Sequence, residues 1–131
     1  MIDYYWGEHY LRLKDFGRAA EHFQYAVQNF PMSLAVQPST VGLLRAFTGL
    51  GYFDKALEVV SSIERRWPSY YLSDPSFLMS AGYAAMLSGN LARAKDYFWA
   101  YANIVPDAQD VDVAMARIGD ILLKEDRKSV V

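Results

Sequence analysis

The chain has 131 residues, of which 53% are apolar and 21% charged, and its formal net charge is −2. This length is enough for one domain with a buried core, and the apolar content is too high for a disordered chain. This net charge argues against a dedicated nucleic-acid-binding protein, which normally carries a basic surface. The absence of cysteine excludes disulfides and thiolate metal sites, and no apolar run approaches the roughly 18 residues that a membrane-spanning helix needs.

One pattern of small and aromatic residues occurs three times along the chain. Its alanines, Ala19, Ala56 and Ala94, are separated by 37 and 38 residues, and a proline follows each of them after 12 positions. Two series of markers with the same spacing are typical of a repeat protein, in which each unit buries its apolar face against a neighbouring unit. Repeat proteins act mostly through their surfaces, so this pattern favours a binding function over a catalytic pocket.

The first copy predicts two helices joined by a short turn. The first helix is expected over residues 2–14, and the turn is Lys14-Asp15. Apolar residues then recur at the i, i+3, i+4 and i+7 spacing of an amphipathic helix over residues 16–30. This second helix must end before Pro31, because proline has no amide proton to donate. So short a turn makes the two helices antiparallel.

The second and third copies repeat this plan. Their first helices are predicted over residues 39–50 and 76–88, and each is followed by a glycine, Gly51 or Gly89. Glycine is the usual residue of the left-handed cap that ends a helix. The second helix of each copy again stops before a proline, which disfavours helix in the residue before it.

A fourth copy begins near residue 110 and is incomplete. Ile118-Gly119 and Leu122 reproduce the spacing of a first helix, and Asp126-Arg127 falls where the next turn is expected. We therefore predict a single domain over residues 1–131 with three full repeats and one partial repeat. The repeats are expected at about residues 2–33, 38–71, 75–108 and 110–131.

The end of the chain bears on whether the array is complete. Terminal repeats normally present a polar outer face. Here the sequence ends on an unfinished helix pair and on the apolar residues Val130-Val131. This favours a fragment of a longer repeat array, and the alternative is that the last helix is the native cap.

The pattern resembles the tetratricopeptide repeat, whose signature is W-x2-L-G-x2-Y, then A-x3-F, then a proline. The first copy matches best, with Trp6-Gly7-x2-Tyr10 followed by Ala19-x3-Phe23. The third copy keeps the glycine and the A-x3-F element, whereas the second replaces the glycine by leucine and the phenylalanine by valine. The resemblance implies an all-α fold: a right-handed superhelix, or solenoid, of antiparallel helix pairs with about 3.5 repeats and roughly seven helices.

The period of 37 or 38 residues is longer than the 34 residues usual in the family. The extra residues fall between repeats, near Leu34–Gln37 and Tyr70–Ser73. This spacing is similar to that of the bacterial envelope-associated members of the superfamily, which implies a location in the periplasm or at the envelope. A cytoplasmic location is the alternative, because longer loops also occur in cytoplasmic arrays.

In the fold of this family, the first helix of each pair lines a concave groove that holds a partner. Carried onto this sequence position by position, the resemblance implies a surface of aromatic, methionine and charged residues, which suits a peptide or a helix. The implied partner-binding residues are Tyr4, Glu8, Leu11, Arg12, Val41, Arg45, Thr48, Met79, Tyr83, Met86 and Asp120. The implied function is a non-catalytic scaffold whose partner is another protein or a peptide segment.

The alternative function is a structural one. The chain would then be a spacer, or a self-assembling segment of a larger bacterial envelope-associated repeat protein. Self-association would use the open C-terminal end near Leu122, Leu123 and Val131, where apolar residues cluster.

No motif predicts catalysis or a metal site. The chain has two histidines, His9 and His22, whereas a zinc site needs three or four converging ligands. The aspartates of residues 107–112 lack the central glycine and closing glutamate of a calcium loop, so we interpret them as helix-capping residues. The charged run 124–128 is interpreted as a solvated helix face. We therefore expect no cofactor, no metal, no bound nucleic acid and no direct insertion into a membrane.

Overall fold

The computed structural model describes residues 2–129, and all regular secondary structure within that range is helical. The helices are α1 (Ile2–Arg12), α2 (Phe16–Asn29), α3 (Val36–Leu50), α4 (Phe53–Arg66), α5 (Tyr70–Ser73), α6 (Ser76–Leu87), α7 (Leu91–Ile104) and α8 (Val111–Ser129). The chain forms two compact units that divide after Pro68. Unit 1 contains α1–α4 and unit 2 contains α5–α8. The predicted all-α fold is confirmed, and the single domain with its repeat boundaries stays a prediction.

One helix begins earlier than predicted, and one short helix was not predicted. α3 begins at Val36, three residues before the predicted start, and includes Pro38 in its first turn. Proline is tolerated there because the amide protons of a first turn have no partner within the helix. The single turn α5 occupies Tyr70–Ser73, a segment that was predicted to be part of a longer connection between repeats.

The turn predicted at Asp126-Arg127 is wrong. α8 continues through both residues to Ser129. Neither residue is a glycine or a proline, and the flanking lysine, glutamate and arginine residues all favour helix, so nothing in the local sequence ends the helix there. Val130 and Val131, on which the expectation of an apolar chain end rests, lie outside the described residues.

The three predicted turns each depend on one residue with a left-handed backbone. These residues are Lys14 with φ 59°, Gly51 with φ 78° and Gly89 with φ 87°. Glycine adopts this conformation freely, whereas the Cβ of Lys14 makes it less favourable by about 1 kcal/mol. Asp15 and Asn90 then cap the following helices, since each side chain accepts a hydrogen bond of 3.3 Å from the backbone amide three residues further on.

Unit 1 is organised around a phenylalanine ring that lies between two glycines. The ring of Phe23 in α2 is fully buried. A Cβ atom would lie 2.6 Å from this ring at Gly7 of α1 and 2.5 Å from it at Gly42 of α3, closer than real carbon atoms approach. Phe16 meets Gly49 of α3 in the same way, also at 2.5 Å. α2 and α3 therefore pack as antiparallel helices, with two rings of one helix placed over two glycines of the other.

Unit 2 uses the same arrangement once. A Cβ atom at Gly82 of α6 would lie 2.6 Å from the fully buried ring of Phe98 in α7. α8 also packs against α7. These two helices are joined by an ion pair between Lys95 Nζ and Glu125 Oε2 at 3.0 Å. Among the side chains of α8 that the structure describes, those of Ala114, Ile118 and Ile121 are buried.

We expect Gly42→Ala to lower the free energy of unfolding by about 1–3 kcal/mol, as overpacked cores do. The added methyl group would collide with the Phe23 ring, and Gly7 prevents the ring from withdrawing. Urea denaturation followed by circular dichroism measures the change. Gly119→Ala in α8 is the control, because nothing lies within 4 Å of its Cβ position and the better helix propensity of alanine should raise stability by about 0.5–1 kcal/mol. Equal effects of the two substitutions would contradict this account.

A second prediction concerns Tyr101 of α7. Its hydroxyl donates a hydrogen bond to Asp110 Oδ1, and this bond, with burial, raises the pKa of Tyr101 from 10.0 to about 12. Because the folded-state pKa is the higher one, the stabilisation is complete below about pH 10 and is lost as the pH rises towards 12. In NMR titrations with labelled tyrosine, we expect Tyr101 to remain protonated at about pH 11 and Asp110→Asn to lower its pKa. An unchanged pKa in this variant would overturn the assignment.

Candidate functional site

The predicted partner-binding residues divide between the two units, and each group is described within its own unit. Unit 1 contains Tyr4, Glu8, Leu11, Arg12, Val41, Arg45 and Thr48. Unit 2 contains Met79, Tyr83, Met86 and Asp120.

In unit 1, α1 and α3 bring Tyr4, Glu8 and Arg45 together. Burial raises the pKa of Tyr4, the charges of Glu8 and Tyr5 raise it further, and the charge of Arg45 lowers it. The effect of Arg45 on Tyr4 places the phenol of α1 within electrostatic range of the guanidinium of α3. The Tyr4 ring also packs against Phe23, with 6.2 Å between the ring centroids. The exposed part of this surface therefore rests directly on the core of unit 1.

The remaining residues of the unit 1 group differ in exposure. Arg12 is exposed, and Leu11 and Thr48 are half-buried. The Thr48 hydroxyl donates a hydrogen bond of 2.8 Å to the Leu44 carbonyl of its own helix.

Val41 is a correction to the predicted surface. It is buried, with 7% of its surface exposed, so it offers almost no area to a partner. The physical reason is the position of α3, which packs against α1, α2 and α4 and is covered on most of its circumference.

In unit 2, α6 places Met79, Tyr83 and Met86 along one face. Their spacing of four and then three residues keeps side chains on the same side of a helix, and all three are half-buried. The Tyr83 ring meets the edge of Phe98, with 5.4 Å between centroids and 81° between ring planes. This contact orients the tyrosine and connects the surface of unit 2 to its core.

Met86 and Asp120 belong to one cleft between α6 and α8, with a volume of about 190 Å³. The other residues that line it are Arg117, Leu123, Lys124 and Arg127. Asp120 Oδ2 accepts a hydrogen bond of 2.8 Å from Arg117 Nη1. The cleft thus has an apolar wall and a basic wall, and we call it the α6–α8 cleft.

The sequence pattern did not lead us to predict the three cations of the α6–α8 cleft as part of the binding surface. The interpretation of residues 124–128 as a solvated helix face took account of their charge and not of their spacing. Residues 117, 120, 124 and 127 recur at i, i+3, i+7 and i+10 and therefore share one face of α8. That periodicity was the available signal, but the methionine opposite it comes from a distant part of the sequence.

The histidines have packing roles in the structure. The His22 ring stacks on Tyr10 with 5.5 Å between centroids and 14° between planes, and its Nδ1 lies 3.2 Å from Asp3 Oδ1. His9 is exposed and meets Trp6 edge-on. Within residues 2–129, no three histidine or acidic side chains are grouped so that they could hold a metal, and no helix has the length and apolar character to cross a membrane.

Comparison with known proteins identifies the fold. No protein-family model matches the chain, and no curated protein is significantly similar to it in sequence. PcrH from Pseudomonas aeruginosa is similar in structure, with a TM-score of 0.66 and 19% identity over 93% of this chain and 87% of that chain. PcrH in complex with the chaperone binding region of PopB is equally similar, with a TM-score of 0.66 and 18% identity over 91% of this chain and 90% of that chain. These likenesses show that the chain has a tetratricopeptide-like helical-repeat fold.

The grouping of Tyr4, Glu8 and Arg45 has a direct test. We expect Glu8→Gln to lower the pKa of Tyr4, because it removes a negative charge that opposes the phenolate. Arg45→Gln should raise the same pKa, because it removes a positive charge that favours the phenolate. NMR titration of labelled tyrosine measures both shifts, and shifts in the same direction would show that the three side chains are not arranged as described.

Proposed function

We propose that this chain is a non-catalytic protein-binding scaffold, which holds a peptide or helical segment of another protein on the exposed faces of its first helices. The observation that carries the proposal is the row of half-buried Met79, Tyr83 and Met86 on α6, continued by the α6–α8 cleft. Side chains of this kind keep enough exposed apolar surface to bind a partner and are held from behind by the core.

The chemistry of these residues supports a protein partner. Methionine is flexible and polarisable and adapts to varied apolar side chains. Tyrosine offers a large apolar area together with a hydroxyl group, and few of its rotatable bonds must be fixed on binding. Because Tyr83 already packs on Phe98, much of its ordering is complete before a partner arrives.

The structural likeness to PcrH supports the same proposal at the level of the fold. PcrH was solved in complex with the chaperone binding region of PopB, so a helical repeat of this kind holds a segment of another protein. At 18% identity the partner of PcrH is not transferred to this chain. The partner is instead defined by the side chains that this chain presents.

A second candidate function is self-association, which one observation on α8 favours. Met115, Leu122 and Leu123 are 42%, 48% and 58% exposed, and nothing lies within 4 Å of a Cβ at Gly119. This is the face that receives a second helix in the earlier repeats. A mass in light scattering that rises with concentration, and that Leu122→Lys returns to the monomer value, would support self-association.

The location of the protein at the bacterial envelope stays a prediction.

The binding proposal is tested by photo-crosslinking. The photo-reactive amino acid benzoylphenylalanine replaces Tyr83, and in a control protein it replaces Tyr25, an exposed tyrosine on the second helix α2. After irradiation in lysate of the source organism, we expect one dominant covalent adduct from position 83 and none from position 25. Mass spectrometry identifies the adduct.

The partner identified in the adduct is then used to measure affinity. We expect Tyr83→Ala to weaken binding of this partner by at least about tenfold, as loss of a buried aromatic contact does. Circular dichroism confirms that the variant is folded. Equal crosslinking from positions 83 and 25, or unchanged affinity of the folded variant, would contradict binding at this surface.

A further inference from the structure

The α6–α8 cleft carries a local charge opposite in sign to that of the whole chain. Three cations, Arg117, Lys124 and Arg127, line it against one carboxylate, that of Asp120. The formal net charge of the chain is −2, so this positive surface does not follow from a basic composition. A local surface of this sign attracts anionic groups to one place on the protein.

The acidic side chains of α8 near the cleft are already engaged. Asp120 accepts a hydrogen bond from Arg117 Nη1 at 2.8 Å. Both carboxylate oxygens of Glu125 accept hydrogen bonds from Lys95 Nζ of α7, at 3.1 and 3.0 Å. These two carboxylates are therefore directed to partners within unit 2.

The basic side chains of the cleft retain unused donors. Lys124 and Arg127 are exposed, and neither forms an ion pair with another side chain among the described residues. The Nε atom of Arg117 is buried and has no hydrogen-bond acceptor within the described part of the chain. A buried donor without an acceptor is unfavourable, so an incoming oxygen ligand that lets the guanidinium reorient would be stabilised.

The apolar wall limits what kind of anion fits. Met86 and Leu123 stand beside the cations in the same cleft. A small inorganic anion would leave these apolar surfaces exposed to water, whereas a peptide that carries an apolar residue next to an acidic one would cover them.

We propose that the α6–α8 cleft recognises an acidic stretch of the partner segment. In this arrangement aspartate or glutamate side chains pair with Lys124 and Arg127 at one end of the row of cations and with Arg117 at the other. A neighbouring apolar residue packs on Met86 and Leu123. The inference rests on the proposed function and adds the chemistry of the partner at one end of the binding surface.

The spacing of the cations favours side-chain carboxylates over a chain terminus. With a rise of 1.5 Å per helical residue, Arg117 and Arg127 are separated by about 15 Å along α8. A single terminal carboxylate would reach only one end of this row. Several acidic side chains along one segment match its full length, and charge pairs of this kind contribute mainly to specificity and to the rate of association.

The test is a selection from bead-bound random peptides of about twelve residues, made once with amidated and once with free C-termini. The bait is the full chain in three forms. These are the unaltered chain, a cleft variant with Lys124→Glu and Arg127→Glu, and an α4 control with Lys55→Glu and Arg65→Glu. The last variant is a matched control, since it makes the same charge change at one lysine and one arginine that are exposed on α4. Circular dichroism verifies that all three forms are folded.

We expect the unaltered chain and the α4 control to enrich amidated peptides in which aspartate or glutamate adjoins an apolar residue. The cleft variant should lose this enrichment and bind the selected peptides about tenfold more weakly in fluorescence anisotropy. Raising the salt concentration from about 50 to about 500 mM should weaken binding to the unaltered chain and reduce its advantage over the cleft variant.

Three other outcomes would overturn the inference. Peptides that bind all three forms with no acidic preference would refute the cleft assignment and leave the proposed scaffold function intact. Enrichment only among peptides with free C-termini would identify a terminal carboxylate as the ligand in place of acidic side chains. No peptide binding to any form, together with no crosslinking at position 83, would refute the scaffold function itself.

Discussion

The close contact between a phenylalanine ring and a glycine backbone is the constraint on which the rest of each unit depends. Phe23 meets Gly7 on one side and Gly42 on the other, so one ring sets the spacing of three helices. A rigid ring in a packed interior leaves little freedom for the helices to shift without losing many contacts. The same ring supports Tyr4, as Phe98 supports Tyr83, so the core holds these half-buried aromatic side chains in place.

Some charged side chains of α8 contact other residues of unit 2, and others line the α6–α8 cleft. Asp120 and Glu125 are engaged by Arg117 and by Lys95 of α7, and these contacts hold the helix within unit 2. Lys124 and Arg127 line the α6–α8 cleft instead. A slightly acidic chain can therefore present a basic recognition surface, because the local field depends on which charges are paired and not on their sum.

The likeness to PcrH at 18–19% identity shows how few positions the fold requires. The close helix crossings need small residues such as Gly82 opposite large ones such as Phe98, together with residues that permit the turns, such as Gly89. The exposed faces of the first helices carry no such requirement. They can diverge without loss of the fold, and this is why the partner must be inferred from the side chains of this chain.

The sequence by itself determined the helices and most of their ends, because these depend on neighbouring residues: the apolar period, the glycine after a helix and the proline that stops one. It also placed Tyr83 and Met86 on one face of a helix through their spacing. Only the tertiary structure decided that Val41 is buried, since that depends on three other helices packing around α3. The cleft that joins Met86 to Lys124 was likewise decided there, because its walls are distant in the sequence and come together only when α6 and α8 both pack against α7.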